Sequence, residues 1–471
     1  MEITQKMRDD AKVYPTSNCD KISFAALVKC LEEVKPGKRA GQKKSKKTKV
    51  ERLLPDQLLS ILQGHSPFPL IRLIVPNCDR ERPTYSIKEK VLAKLFCKAV
   101  GIEEKSEAGV ALVKFNNPQF VPPGLNPCVG DFPGVLEGIL KTRGFHGGKM
   151  TIGDVNARLN ELAQCSSGEQ RIAVIRKIYR DMSSTEIKWF ARIVLKDLKI
   201  GVKHDKILSY IHPDGSDMFA KVSDMRLVLA TLRDPDKRFV VSLSLMSTFE
   251  PMLAKTAYTY DCTSKFKAGF YVEWKFDGER MLVHKKGNTV KCFTRNGNDY
   301  TSKYGDIIGP LILKSVKAEN CILDGEIMPW NDEAKRFGKF GSNQSVANAQ
   351  KAGSAGSDSS WLCFVVFDCV LCEHPQYDSR EMEQNLPSMR GNLTDCDLRT
   401  RKEYLKWLIN PIEHRIYVSQ ATFVEGPAAQ RNAILKRWMN EVIEQCQEGI
   451  MVKSVASPYI CGGRVSKKLG K

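Results

Sequence analysis

The 471-residue sequence has no long hydrophobic run and no ordered set of cysteines or histidines. No apolar stretch approaches the roughly 18 to 20 residues that a membrane-spanning helix needs. No basic segment followed by an apolar core opens the chain, as a secretory signal would. The 15 cysteines show no framework spacing and the seven histidines form no cluster. We therefore expect a reduced, intracellular protein without a membrane segment.

Cysteine spacing typical of a metal site occurs at Cys369 and Cys372, which His374 follows. A structural zinc site needs four ligands, and no second pair lies nearby. Cys369 also continues an apolar run that begins at Cys363. We therefore interpret this segment as the end of a buried strand rather than as a zinc site.

Acidic residues are comparatively scarce, since 54 Asp and Glu stand against 73 Lys and Arg and the formal net charge is +19. Such a charge suits a polyanionic partner, because neutralised phosphates release counterions. Residues 38–49, which include Lys43 and Lys44, hold seven Lys or Arg and no acid; without them the charge is still +12 (19 − 7). The basic loop at 36–50 is typical of a nuclear-localisation or phosphate-contacting patch, although a solvated loop between two helices explains it equally well.

Lys275 opens the segment Lys-Phe-Asp-Gly-Glu-Arg at 275–280, in a region with strand-like alternation. Alternation places Glu273, Lys275 and Asp277 on one face of a strand. A lysine displayed there can act as a nucleophile if it loses its proton, which desolvation or a cation such as Arg280 favours. The glycine of the segment would let a ligand approach the backbone. The alternative is a solvated lysine on a surface strand.

Four further short segments follow in order, and each ends a strand-like run. They are Arg295-Asn296-Gly297, Asp324-Gly325-Glu326, Phe367-Asp368 and Glu448-Gly449-Ile450-Met451-Val452-Lys453. Each segment alone has an ordinary explanation: a turn, a buried strand end, or a surface ion pair of little energetic value. Together and in this order they resemble the motifs of the covalent nucleotidyltransferases, which comprise ATP-dependent DNA ligases, RNA ligases and mRNA capping enzymes.

The resemblance implies a chemistry and a role for each residue. In this family a lysine amine attacks the α-phosphate of ATP, expels pyrophosphate and retains AMP, and Lys275 matches that nucleophile. Charge that develops on phosphate oxygens requires cations and a metal; Glu326 and Glu448 match the carboxylates that hold Mg²⁺, a hard ion that takes oxygen ligands. Phe367 matches the aromatic residue that stacks on adenine. The implied ATP-binding set is Glu273, Trp274, Lys275, Phe276, Arg280, Arg295, Glu326, Phe367 and Lys453.

The 274 residues before Lys275 are enough for a separate domain. Capping enzymes and small RNA ligases begin near the lysine motif instead. A three-four apolar rhythm predicts a helix over 85–96, and Ser183 with Glu186 is a helix-start signal. We predict a loose tail at 1–20, a helical domain at 21–246 and a second domain at 247–471. The resemblance implies that this second domain is an α+β adenylation domain on antiparallel sheets, ATP-grasp-like.

The helical half resembles the DNA-binding domain of eukaryotic ATP-dependent DNA ligases. Residues 192–201 and 249–253 are similar to segments of those enzymes, whereas 72–76, 79–82 and 87–89 resemble the end-joining branch, DNA ligase IV, more than the replicative one. The resemblance implies a multidomain protein whose DNA contacts include Lys196 and Lys199, and the basic loop adds Lys43 and Lys44 as candidate contacts.

The family pattern continues beyond Lys453 to two alternating lysines and a small OB-fold barrel. Here the chain runs through Arg464 to the adjacent Lys467 and Lys468 and stops at residue 471. We therefore expect an incomplete adenylation domain, no OB-fold and no docking repeats for the coiled-coil scaffold of end joining. On this expectation the polypeptide binds nicks well and joins them poorly.

The function predicted from these observations is that of a nuclear ATP-dependent DNA ligase, with ATP and Mg²⁺ as cofactors and broken or nicked duplex DNA as partner. It would join strands through lysine-AMP, transfer of AMP to a 5′-phosphate and attack by a 3′-hydroxyl, in double-strand break repair by non-homologous end joining. One alternative is a catalytically incomplete relative that binds nicks or ends. Another is an RNA ligase or capping-type nucleotidyltransferase.

Overall fold

The computed structural model describes residues 3–34, 47–62, 64–143, 147–234, 236–338, 341–352, 359–373, 390–444 and 447–470. These residues form two compact units. The helical unit comprises residues 4–219 and 224–239, and the sheet unit is formed mainly by 240–471 together with 220–223. Within the described residues, every helix is too short or too polar to span a bilayer.

The helical unit begins earlier than predicted, because residues 5–13 and 17–20 are helical rather than a loose tail. The side chain of Thr4 caps α1 by accepting from the backbone N–H of Met7, and Arg8 forms an ion pair with Asp224 at 3.2 Å. The helices are α1 Gln5–Val13, α2 Ser17–Asp20, α3 Phe24–Val34, α4 Lys49–Leu53, α5 Asp56–Ile61, α6 Phe68–Ile74, α7 Glu89–Val100, α8 Glu107–Val113, α9 Phe132–Lys141, α10 Ile152–Gln164, α11 Gly168–Asp181, α12 Ser184–Val194, α13 His204–Ile211, α14 Gly215–Val222 and α15 Met225–Thr231.

Helix α12 lies at the centre of this unit, since all its residues from Glu186 to Val194 are buried. The predicted start signal is confirmed: Ser183 and Glu186 form a reciprocal capping box. The helix predicted over 85–96 instead begins at Glu89. Ser86, at φ 52°, has left-handed backbone that a helix excludes.

The sheet unit contains the predicted antiparallel sheets. Its strands are β1 Leu253–Ala257, β2 Phe270–Lys275, β3 Glu279–Lys286, β4 Thr289–Thr294, β5 Asn320–Asn331, β6 Arg336–Phe337, β7 Ser360–Glu373, β8 Arg390–Asn392, β9 Ile416–Val418, β10 Ala421–Val424, β11 Gly449–Ser454 and β12 Arg464–Gly470. One sheet has the order β1-β12-β11-β2-β10; the other has β4-β3-β5-β7-β8, with β6 on β5 and β9 on β7. The β1–β12 and β7–β9 pairs are parallel.

Four helices, α16 Asp306–Ser315, α17 Asn343–Lys351, α18 Leu398–Leu408 and α19 Ala428–Glu444, belong to the sheet unit. Helix α18 buries Tyr404, Leu405 and Leu408 in one core with Phe364 of β7. Helix α19 packs on the five-stranded sheet, and the side chains between them form a second hydrophobic core. The sequence predicts helical covers for the sheets at 399–409 and 428–445, and both helices match these ranges closely.

The unit boundary differs from the predicted one at 246/247, because residues 240–246 belong to the sheet unit. Leu243 packs in a core cluster with Phe249, Leu282 and Phe293. The sequence Lys286-Gly287-Asn288 predicts a hairpin between β3 and β4, and the structure confirms it, with Lys286 opposite Thr289 across a two-residue turn.

Candidate active site

Lys275 lies where the chain crosses from one sheet to the other. Strand β2 of the five-stranded sheet ends at Lys275, and β3 of the seven-stranded sheet begins four residues later at Glu279. A cleft of about 330 Å³ opens at this crossing. All ten residues assigned from sequence to ATP or metal line it: Glu273, Trp274, Lys275, Phe276, Arg280, Arg295, Glu326, Phe367, Glu448 and Lys453.

Gly278, in the crossing segment, is needed for contact with β5. A Cβ atom at this position would lie 2.5 Å from the carbonyl oxygen of Ile327 and 2.5 Å from Cγ of Met328. The glycine therefore allows β5 to approach the crossing segment, whereas the sequence suggested that it admits a ligand. Because any side chain here would displace β5, the position of Lys275 depends on this contact.

The ammonium group of Lys275 forms an ion pair with the carboxylate of Glu448. Antiparallel pairing of β2 with β11 sets Lys275 opposite Gly449, so Glu448 reaches the same end of the cleft. The Lys275 side chain is 20% exposed, which leaves its nitrogen accessible from the cleft. The nitrogen is therefore held in place but not enclosed, and it must lose a proton before it can attack an electrophile.

Glu273 is buried beneath the cleft between two lysines. Its Oε2 accepts a hydrogen bond from Lys453 Nζ at 2.8 Å, and its Oε1 lies 2.6 Å from Lys402 Nζ. Burial would raise the pKa of Glu273, but the charges of Lys402 and Lys453 together hold it below its ordinary value. The carboxylate is therefore an ionised acceptor at the wall of the cleft.

Phe367 enters the cleft because β7 carries a bulge at this residue. Gly325 pairs with Val366 and Asp324 pairs with Asp368, so Phe367 is the extra residue. Its ring lies 4.6 Å from Lys453 Nζ and 5.3 Å from the guanidinium carbon of Arg280. The half-buried ring therefore lines a polar cleft beside two cations.

Arg280 is held by Asp324, a carboxylate to which no role was assigned from sequence. Its Nε and Nη2 donate to the two oxygens of Asp324, at 2.8 and 2.5 Å. The hydroxyl of Tyr459 donates to the same carboxylate at 2.6 Å. Asp324 is fully buried, and its charge keeps the pKa of Arg280 raised although burial acts to lower it. This bidentate pair fixes the direction of the guanidinium.

Glu326 lies opposite Arg280 across the β3–β5 pair. Burial raises the pKa of Glu326 to about 8; Asp324 and Glu448 add to the rise, while Arg280 and Lys275 oppose it. A divalent cation would neutralise this cluster of acids. Among the described residues no group of three or more His, Cys, Asp or Glu could hold a metal ion. Two carboxylates still suit Mg²⁺, which commonly takes one or two of them together with waters and substrate phosphates.

Sequence reasoning missed two charged residues of α18 that stand behind the cleft. Arg401 donates to both oxygens of Asp368, at 2.7 and 3.1 Å, and Lys402 pairs with Glu273. Their positions carried a signal: with Leu398 and Leu405 they occupy the buried face of the helix. Charged residues on an apolar helical face require buried partners.

The structure describes two of the four lysines that are predicted to contact DNA. Lys196 and Lys199 lie in the loop between α12 and α13, both with left-handed backbone, at φ 56° and 52°. Lys196 is half-buried, and burial lowers its pKa; Lys199 is exposed, with its nitrogen 3.5 Å from Asp131. Lys43 and Lys44 lie outside the described residues.

The cysteine pair supports the strand interpretation, because Cys369 and Cys372 are buried within β7. Both belong to the core cluster beneath the seven-stranded sheet. His374 lies outside the described residues.

Two family models match the chain. One, described as DNA ligase N terminus, covers residues 23–212, and the other, described as ATP dependent DNA ligase domain, covers residues 251–471. Neither model matches residues 1–22 or 213–250.

Curated relatives carry the name DNA ligase 4. That of Arabidopsis thaliana is 31% identical over 464 residues, which are 95% of this chain and 36% of that protein. That of Homo sapiens is 32% identical over 404 residues, which are 83% of this chain and 41% of that protein. The chain thus spans well under half the length of the curated relatives it matches. A solved structure titled Pmar-Lig_Pre. covers 78% of this chain and 78% of that chain at 16% identity, with a TM-score of 0.42, too low to bear on the fold.

Proposed function

The chain belongs to the ATP-dependent DNA ligase family, and from that premise we propose that it joins breaks in DNA through a covalent lysine-AMP intermediate. Lys275 attacks the α-phosphate of ATP, the bond to the β-phosphate breaks, and pyrophosphate leaves. AMP then passes to a 5′-phosphate of DNA, and a 3′-hydroxyl displaces it. The observation that carries the proposal is the convergence of ten residues, from five separate segments, on the one cleft that contains Lys275.

Positions in the cleft suit the separate tasks of this reaction. Phe367 offers an aromatic face for the adenine, and the neighbouring Glu273 is an ionised acceptor for its amino group. Arg280 and Lys453 supply positive charge for phosphate oxygens, where charge develops in the transition state. Glu326 and Glu448 would hold Mg²⁺, which supplies further charge neutralisation at the phosphates when bound.

Repair of double-strand breaks by end joining, in the nucleus, is the setting we propose. The similarity to proteins named DNA ligase 4 supports it, as does a net charge of +19, which favours a polyanionic substrate. Lys196 and Lys199 are candidate phosphate contacts in the helical unit. We expect that unit to bind nicked duplex with an affinity that falls steeply as salt rises.

Incubation with ATP labelled at the α-phosphate, followed by a denaturing gel, tests the proposal. Label should remain on the protein, and Lys275→Ala should abolish it. Lys275→Arg should abolish it as well, because a guanidinium stays protonated and cannot attack. Lys286→Ala, which removes an exposed lysine at the far end of β3, should label normally.

Persistent label on either Lys275 variant would show that another residue is the nucleophile. Absence of label on the unmutated protein, together with normal nick binding, would favour a relative that occupies breaks without sealing them. Labelling followed by transfer of AMP to RNA but not to DNA would favour the RNA-directed class.

A further inference from the structure

Glu273 has two buried counter-ions, and their positions differ. Lys453, on β11, is one of the residues that line the cleft, whereas Lys402, on α18, is not. The Lys402 side chain is 5% exposed and that of Lys453 is 8% exposed. A single lysine would satisfy the charge of the carboxylate, so the second requires an explanation.

Lys453 has two tasks that compete for its one ammonium group. In the described structure it donates to Glu273 at 2.8 Å. Under the proposed function, the same nitrogen must contact phosphate oxygens when ATP is bound. If it left without replacement, Glu273 would remain ionised and buried with no partner, at a cost of several kcal/mol.

We propose that Lys402 is a positioning residue, a permanent counter-ion of Glu273 that releases Lys453 to bind the phosphates of ATP. Its nitrogen lies 2.6 Å from Glu273 Oε1, while Lys453 uses Oε2, so departure of one cation does not disturb the other. Helix α18 holds Lys402 in place, because Leu398, Arg401 and Leu405 on the same helical face are all buried. The inference rests on the proposed function, since it assumes that Lys453 contacts the nucleotide.

Loss of Lys402 should weaken the binding of the nucleotide's phosphates in particular. Without Lys402, Glu273 would retain Lys453, and the phosphates of a bound nucleotide would lose one cation. Binding of the adenosine part would change little, because Glu273 stays ionised and paired. The measurable quantity is therefore the ratio between the affinities for a triphosphate and for adenosine.

Calorimetry with α,β-methylene-ATP and with adenosine tests this claim without any chemical step, because the methylene bridge prevents AMP transfer. We expect Lys402→Met to lower the affinity for α,β-methylene-ATP about tenfold, roughly 1.4 kcal/mol, through loss of one charge-assisted contact to the phosphates. The affinity for adenosine should change by less than about threefold, roughly 0.6 kcal/mol. Lys402→Arg keeps the charge and should restore most of the ratio.

Lys406→Met is the matched control, because Lys406 lies one turn further along α18, 68% exposed and paired with Glu403. It should bind both ligands as the unmutated protein does. Should Lys402→Met fail to fold, as judged by circular dichroism, Lys402→Gln provides an uncharged side chain that can still donate to Glu273.

The decisive comparison uses Glu273→Gln. An amide cannot retain Lys453 by charge, so adding Lys402→Met to Glu273→Gln should alter the triphosphate-to-adenosine ratio by less than about twofold, roughly 0.4 kcal/mol. An equally large loss in that background would overturn the inference, since Lys402 would then act on the phosphates directly. An equal loss for both ligands would also overturn it and would assign Lys402 to structure. If the unmutated protein binds α,β-methylene-ATP no more tightly than adenosine, the premise that Lys453 contacts the phosphates fails instead.

Discussion

Both units bury charged side chains, but the buried charges have different surroundings. In the helical unit, Lys188 is 2% exposed and joins α12 to α9 and α3 through Glu137 and Glu32. In the sheet unit, the pairs of Arg280 with Asp324 and of Glu273 with Lys453 stand in the wall of the cleft. The same ion-pair chemistry therefore holds helices together in one unit and orients groups that line the cleft in the other.

This comparison predicts that the two units respond differently to loss of a buried cation. Breaking a buried pair by removing one partner costs about 3–5 kcal/mol, because the remaining charge is left unpaired. In the helical unit that cost should be seen as lost stability. In the sheet unit part of it should be seen as altered ligand binding.

The largest expected effect is on stability. Lys188→Met should destabilise the helical unit by about 3 kcal/mol, the low end of that range, since Glu137 would lose its buried partner and keep only the exposed Lys141, 3.2 Å away. Denaturant unfolding would measure the loss, and the extent of AMP labelling per folded molecule should stay the same. A specific loss of labelling by the folded fraction would contradict the division between the units.

Phe367→Ala should affect the nucleotide rather than the fold. Stacking of a base on an aromatic ring is worth about 1–3 kcal/mol by alanine substitution, so the apparent Michaelis constant for ATP should rise at least about fivefold. Adenylation kinetics at varied ATP would measure it. Phe367→Leu, which keeps apolar volume but loses the ring, should raise the Michaelis constant by an intermediate amount. An unchanged constant in both variants would show that the Phe367 side chain serves packing only.

Glu326→Gln tests whether this carboxylate binds the cation. The amide keeps the shape of the side chain but removes the charge that a hard metal requires. The Mg²⁺ concentration needed for half-maximal adenylation should rise about tenfold, a loss of roughly 1.4 kcal/mol in binding. A Mg²⁺ titration that overlays that of the unmutated protein would make Glu326 structural.

A further prediction concerns pH, through a residue of the sheet unit that is buried without a charge. His284 is fully buried, its Nδ1 accepts from the backbone N–H of Met246 at 3.1 Å, and burial lowers its pKa to about 3. An unfolded histidine has a pKa near about 6.5. Below about pH 6.5, His284 takes up a proton in the unfolded chain but not in the folded chain. The free energy of unfolding therefore decreases as pH falls towards about 3.

The loss due to His284 should approach about 1.4 kcal/mol for each pH unit within that window. Unfolding of the unmutated protein and of His284→Gln, compared between pH 4.5 and 6.5 (roughly the upper part of the window), isolates this contribution from other titrating groups. The variant should show the shallower dependence on pH. Parallel curves would mean that His284 is protonated in the folded protein.

Local patterns in the sequence predicted much of the fold. The capping signal at Ser183 opens α12, and the glycine and asparagine at 287–288 close the β3–β4 hairpin. Such features depend on neighbours within about four residues, which a linear pattern records. The helix at 5–13 was missed because it packs against α15, more than 200 residues away, where Arg8 also pairs with Asp224.

Residue order alone was enough to predict the chemical inventory of the cleft: the nucleophile candidate Lys275, the aromatic Phe367 and the two acids Glu326 and Glu448, in an order that indicates their family. How these groups are held depends on tertiary contacts. Strand pairing brings Glu448 beside Lys275, a bulge directs Phe367 inward, and α18 supplies Lys402 behind Glu273. The physical reason is that a buried charge needs a partner in space, and the partner can come from any distance along the chain.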